Sequence, residues 1–364
     1  MLQAGEAAAR REVVTEIDAA LERVVAATGF LEDRGQDRDA AIPPALCDAV
    51  RDFLLVGRGR VRPRLLVEMH DSVAVDGAEP LVDRVAVLDA AASVELLHLF
   101  TLVHDDIVDA SEERDGRPTL RVAAAEHGDG DSIALVLGDL IFARAMQVLA
   151  LMPAPAELVR AAMHVFTTES LSAGGGQLDE LIDGEALPWR AARSGRQKTA
   201  PQGFRLPLEL GALLCGAGPA ALHALGRAGD DLGGAYQLAD DLVELAAAAA
   251  SGCSWSDASQ GVPALVIAIA LARLDSLQRH RLDGLLGRAD LSETEERSRV
   301  ELVLSSGAVE CTGQRIELLL ARACARVRND RDLPATAVVP LTRVARRIRS
   351  SVEDALAIIR RRRP

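Results

Sequence analysis

Apolar residues recur at three- and four-residue spacing through most of this chain, which commits it to helices before anything else is known. The segments 10–28, 44–56, 63–75, 80–107, 131–151, 155–183, 219–247, 262–287, 292–304, 308–328 and 337–360 carry that period, and the two-residue alternation of a strand is nearly absent. Aromatic residues make up only 2% of the chain, and the alanine, leucine, arginine and glutamate that dominate it are strong helix formers. Breaks fall at 57–63, 116–118, 153–155, 216–219 and 252–263, each rich in glycine or proline. Ser292 with Glu295 reads as a capping box, and the alanines at 246–250 continue the helix before them. With no flexible linker and no fixed-period repeat, the expectation is an all-α protein, one large helical bundle spanning 1–364 as a single domain.

A net charge of −13 excludes a general affinity for nucleic acid, which needs a basic face. The five cysteines, Cys47, Cys215, Cys253, Cys311 and Cys324, are widely spaced and never form CxxC, as expected of reduced thiols in a cytoplasmic protein. No basic-then-apolar leader opens the chain, and the longest uncharged apolar run, Val262 to Ala272, is about half the length of a membrane span. The expectation is a soluble protein without a spanning segment.

The chemistry-bearing pattern is acidic. In the helix over 80–107, the turns from Val94 to Val103 are almost wholly apolar and then run into His104, Asp105, Asp106 and Asp109. At 100° per residue, with His98 at 0°, Asp105 falls at about −20° and Asp109 at about +20°, so the three share a face. Carboxylates four residues apart on a helix lie about 5–6 Å from each other, close enough to share metal ions with a bound phosphate. Repelling carboxylates at the end of a buried helix call for cations. A second cluster, Asp240, Asp241 and Glu244, repeats the spacing. Two such helices facing each other would make a magnesium funnel, since Mg2+ takes a few carboxylates plus substrate phosphate oxygens. The implied substrate is a diphosphate.

These clusters sit in an ordered series of motifs. The run 57–63 reads GRGRVRP, 95–98 reads ELLH, and 105–119 carries DDxxD followed by RDGRPT. Gly176-Gln177-Leu178-Asp179, Lys198-Thr199, the run 236–244 and the degenerate Gly261-Val262-Pro263 follow. Over roughly 15–330 the chain resembles the trans-isoprenyl diphosphate synthase (polyprenyl synthetase) family. The resemblance implies an isoprenoid-synthase bundle with a central active-site cavity, about three magnesium ions held by Asp105, Asp109 and Asp240 with Asp106, Asp241 and Glu244 beside them, and a homodimer. It further implies that Arg114 and Lys198, with Thr199 and Gln237 in the same motifs, hold an allylic prenyl diphosphate. Arg60 and His98 would hold isopentenyl diphosphate. Product length in that family depends on residues just before the first motif, here Phe100 and Thr101, which suggests a fifteen- or twenty-carbon product. Helix geometry makes Thr101 the better candidate for the pocket wall, because it lies one turn from Asp105 on the same face.

Four positions depart from the family pattern, two of them Cys253 and Val262, which stand at or near places where the second motif region usually has lysine. Gly59 stands where a lysine belongs and Asp115 where a second arginine belongs, and Asp115 would repel a diphosphate. Lys198 is the only lysine in the chain, yet the positions that lost a lysine did not gain arginine. Two activities therefore stay open: condensation with isopentenyl diphosphate, and a terpene synthase acting on one prenyl diphosphate alone. A non-catalytic partner subunit and a metal phosphohydrolase fit the motifs less well. The histidines at 70, 127, 164, 223 and 280 show no ligand spacing.

Overall fold

The computed structural model describes residues 2–26, 42–56, 59–74, 80–182, 199–251, 255, 258, 264–288 and 290–362. Its helices are α1 (Leu2–Ala26), α2 (Pro44–Leu55), α3 (Val61–Val73), α4 (Arg84–Val108), α5 (Leu120–Ala124), α6 (Gly130–Ala150), α7 (Ala156–Ile182) and α8 (Leu206–Leu213). There follow α9 (Pro219–Ser251), α10 (Leu265–Arg273), α11 (Ser276–Asp283), α12 (Glu293–Ser305), α13 (Ala308–Arg328) and α14 (Val338–Arg362). The all-α expectation holds. Among the described residues the strands are β1 (Glu113–Arg114) and β2 (Arg117–Pro118), paired antiparallel with Arg114 opposite Arg117.

The chain divides into two compact units, Met1–Thr167 with Leu206–Gly218, and Thr168–Arg205 with Pro219–Pro364. In the first, α4 packs on α6, α3 and α1, while α8 packs on α3. Asp83 caps α4 by accepting the Ala86 N–H at 2.9 Å. Leu96, Leu97, Leu99 and Val103 are all buried, so the apolar turns before the aspartates lie in the core. By length and composition α4 and α6 could each cross a membrane, a property the search for uncharged runs passed over. For α4 that apolarity is spent inside the unit, with 67% of its most apolar window buried.

In the second unit α9 packs on α13, α14 and the π-helical turn Pro201–Arg205. Buried Asp231 anchors α9 to α13 by accepting hydrogen bonds from the Nε of Arg322 at 2.8 Å and of Arg326 at 2.9 Å. The Ser292–Glu295 capping box forms as the sequence suggested. The helix expected over 262–287 is instead two, α10 and α11, because Asp275 starts a new capping box: its side chain accepts the Gln278 N–H at 2.8 Å and Gln278 accepts the Asp275 N–H. The D-x-x-Q signature was present in the sequence and carried less weight than the unbroken apolar period.

The described cysteines form no disulfide. The Cys215 thiol donates to the His70 carbonyl at 3.1 Å, and burial, reinforced by the nearby Asp71 carboxylate, pushes its pKa up to about 12. At pH 8 about one thiol in ten thousand is then ionised. Iodoacetamide at that pH is expected to leave Cys215 unmodified in the folded protein and to alkylate it in urea, as read by peptide mass mapping; rapid native labelling would contradict this environment.

Candidate active site

The end of α4 sorts its three aspartates by depth. Asp105 is half-buried, Asp106 is buried at 1% exposure, and Asp109 is exposed at the C-cap. The hairpin of β1 and β2 then brings Arg114 back onto the helix. Its Nε lies 2.9 and 3.1 Å from the two Asp106 oxygens, and its Nη2 lies 2.7 Å from Oδ1. Burial alone would lower the Arg114 pKa, but the hydrogen bonds and charge of Asp106 leave it raised, so the guanidinium is a fixed cation. Asp106, among the expected metal ligands, is the buried partner of Arg114. Arg114, expected on the diphosphate, gives Nε and Nη2 to that pair. A buried carboxylate needs such a partner, and a planar guanidinium supplies it bidentately.

The second cluster repeats this division on α9. Asp241 is buried and its carboxylate accepts the Leu265 N–H at 3.1 Å, bracing the first turn of α10. Asp241 is likewise among the expected metal ligands. Asp240 and Glu244 are half-buried and lie about one turn apart. Lys198 lies outside the described residues. Its neighbour Thr199 is described, and the Thr199 hydroxyl donates to the Gln237 side-chain oxygen at 3.1 Å.

Arg60, expected on isopentenyl diphosphate, is buried and paired inside the first unit. Only 1% exposed, it donates from Nε to Asp18 and from Nη1 to Glu95, both at 2.8 Å, and from Nη2 to the Leu55 carbonyl at 3.2 Å. Glu95 is itself 2% exposed, so the pair neutralises two buried charges. Two residues on, Arg62 is only half-buried and His98 is half-buried on α4. The motif at 57–63 singles out Arg60, and only the packing of Glu95 shows that its charge is neutralised internally.

Thr101 donates from Oγ1 to the His98 carbonyl at 2.8 Å and remains half-buried. Phe100 points toward α6, with ring centroids 4.5 Å from His104 and 5.0 Å from Phe142, and Phe142 continues to buried Phe166 at 6.2 Å. The aromatic series beyond Phe100 had no sequence signature, because its members lie on separate helices.

The donor set suits magnesium. Asp105 and Asp109 on one helix, and Asp240 and Glu244 on another, offer carboxylate oxygens only. Among the described residues no group of three or more His, Cys, Asp or Glu side chains converges into a ready-made cage. Mg2+ is commonly held in that way, by one or two carboxylates, waters and substrate phosphates.

An all-helical chain with an acidic pair on each of two long helices defines an isoprenoid-synthase type of protein. The family model described as polyprenyl synthetase matches residues 43–303, and the chain belongs to that family. It is 27% identical to a short chain isoprenyl diphosphate synthase of Methanothermobacter thermautotrophicus, over 74% of this chain and 79% of the relative. It is 33% identical to a geranylgeranyl diphosphate synthase of Sulfolobus acidocaldarius, over 56% of this chain and 59% of the relative. Among solved structures, geranylgeranyl pyrophosphate synthase from Corynebacterium glutamicum, complexed with isoprenyl diphosphate and magnesium, superposes with a TM-score of 0.78 at 26% identity, covering 93% of this chain and 98% of that one.

Proposed function

We propose that this protein is a magnesium-dependent prenyltransferase that ionises an allylic prenyl diphosphate and condenses it with isopentenyl diphosphate. The observation that carries the reading is the sorting of the acidic clusters. In each, the inner aspartate is buried, Asp106 against Arg114 and Asp241 against the Leu265 amide, while Asp105, Asp240 and Glu244 are half-buried and Asp109 is exposed. Like charges one turn apart are stabilised by a bound dication. Asp105 and Asp109 would hold magnesium at the first cluster, Asp240 and Glu244 at the second, with about three ions in all. Bound there, magnesium neutralises the charge that develops on diphosphate as the allylic carbon–oxygen bond breaks. Lys198 adds a side-chain cation to the same leaving group, and Asp106 holds Arg114 in one orientation beside Asp105. Thr101, on the Asp105 side of α4, lines the prenyl chain. Arg62 and His98, both half-buried, are the residues assigned to the second diphosphate. The family resemblance supports a homodimer working in the cytoplasm.

Gly59 and Asp115, together with the burial of Arg60, favour a second reading: a terpene synthase that uses one prenyl diphosphate and no isopentenyl diphosphate. One experiment separates them. Geranyl, farnesyl and geranylgeranyl diphosphates are each incubated with Mg2+, with and without isopentenyl diphosphate, and the products are analysed by mass. A lengthened diphosphate formed only with isopentenyl diphosphate is the expected result. Hydrocarbon or alcohol made from one substrate alone would replace condensation with the terpene-synthase reading.

A further inference from the structure

The face of α9 that carries the second acidic pair also carries two glycines, and something packs directly on them. With Gly233 at 0°, Gly229 falls at about −40°, Gln237 at about +40°, Asp240 at about −20° and Glu244 at about +20°, a single stripe along the helix. A Cβ on Gly233 would lie 2.6 Å from the Cα and 3.1 Å from the N of Ala200. One on Gly229 would lie 2.9 Å from both the Cα and the N of Arg205. Contacts that short against backbone cannot be relieved by turning a side chain. The segment 199–205 therefore lies on α9 with no room for a single methyl group at either point.

Independent contacts fix both ends of that segment. At one end the Thr199 hydroxyl donates to Gln237, one turn from Gly233. At the other, Arg205 pairs through Nη2 with Glu169 at 2.8 Å and through Nη1 with Asp230 at 3.5 Å. Burial raises the Glu169 pKa while Arg205 opposes the shift. The Phe204 ring leans on Tyr236, with centroids 5.7 Å apart. The segment winds here as a π-helical turn, Pro201–Arg205, a local departure from α-geometry that recurs at functional sites. On the opposite face of α9, Asp231 is held by Arg322 and Arg326, so the helix cannot easily yield.

We propose that Gly229 and Gly233 are positioning residues that set the register between Thr199 and the acidic pair Asp240 and Glu244. The inference rests on the reading given above, in which those acidic residues hold magnesium, and on Thr199 touching the diphosphate bound there. The Thr199 hydroxyl is tied to Gln237, one turn before Asp240 on α9. An added methyl at Gly233 must push the segment off the helix, moving Thr199 relative to Asp240. Displacements of this order, about an ångström, cost catalysis about a hundredfold.

The test is a double-mutant cycle read as kcat/KM for the allylic diphosphate at saturating Mg2+. Gly233→Ala is expected to lower kcat/KM by about tenfold to a hundredfold. Against a Thr199→Val background the same change should cost less than about twofold, because the hydroxyl it misplaces is already gone. Additive losses in the two backgrounds, or wild-type kinetics in Gly233→Ala, would overturn the proposal. Gly313→Ala, in the same unit with nothing within 4 Å of the new methyl, controls for helix propensity and should leave kinetics unchanged. Should Gly233→Ala fail to fold, Gly229→Ala, which meets the Arg205 backbone at 2.9 Å, takes its place in the cycle, with the same non-additivity supporting the inference and additivity sinking it. Asp240→Ala and Lys198→Ala separate the two layers. If both are fully active, the functional reading fails and this inference with it; if both are crippled and the cycle is additive, only the inference fails.

Discussion

Asp105→Ala is expected to lower magnesium-dependent kcat/KM for an allylic diphosphate by about a thousandfold, while the thermal midpoint stays within a few degrees of wild type. The size follows from losing a carboxylate that positions a metal against the leaving group, where each 1.4 kcal/mol of lost transition-state stabilisation is about tenfold in rate. The intact fold follows from position. Asp105 is half-buried at the last turn of α4, and the ion pair that closes this turn belongs to Asp106 and Arg114. Steady-state kinetics over a range of Mg2+, with circular dichroism melting of the same preparation, provide the check. Full turnover in a folded Asp105→Ala protein would remove the first acidic cluster from the site.

The second large effect concerns stability. Glu95→Ala is expected to destabilise the protein by about 3–5 kcal/mol, because it leaves the Arg60 guanidinium buried without its main counter-charge. Arg60 is 1% exposed and Glu95 2%, and the remaining carboxylate partner, Asp18, lies at the surface end of the network at 40% side-chain exposure. Arg60→Ala should cost a similar amount by stranding Glu95. Urea unfolding of both single variants measures this. Had Arg60 been a diphosphate ligand, Arg60→Ala would instead raise the KM for isopentenyl diphosphate at unchanged stability, so the two outcomes also decide what this arginine is for. A double replacement by apolar residues of similar volume should recover much of the loss, since two buried charges are removed together.

Much of this architecture was legible beforehand. α13 occupies 308–328 as its apolar period indicated, the alanine run 246–250 does continue α9, and α4 is buried up to its aspartates. The motif order likewise pointed to the family that residues 43–303 match. Less legible were the break at Asp275, where a capping box outweighed apolar periodicity, and the short hairpin at 113–118, too brief to show alternation.

What the sequence determined by itself was the helical class and the faces on which acidic residues meet, because 3.6 residues per turn is a property of local backbone geometry. Asp105 and Asp109, or Asp240 and Glu244, share a face in any helix built from these segments. Only the tertiary structure decided which charges are buried and against what. Arg60 is neutralised by Glu95, 35 residues away. Asp106 is buried against Arg114, and Asp241 against the Leu265 amide. Gly229 and Gly233 have the backbone of 199–205 laid across them. A buried charge must find its partner wherever the chain brings one, and a missing side chain matters only where another backbone comes close; both conditions are set by contacts between segments, which no local pattern records.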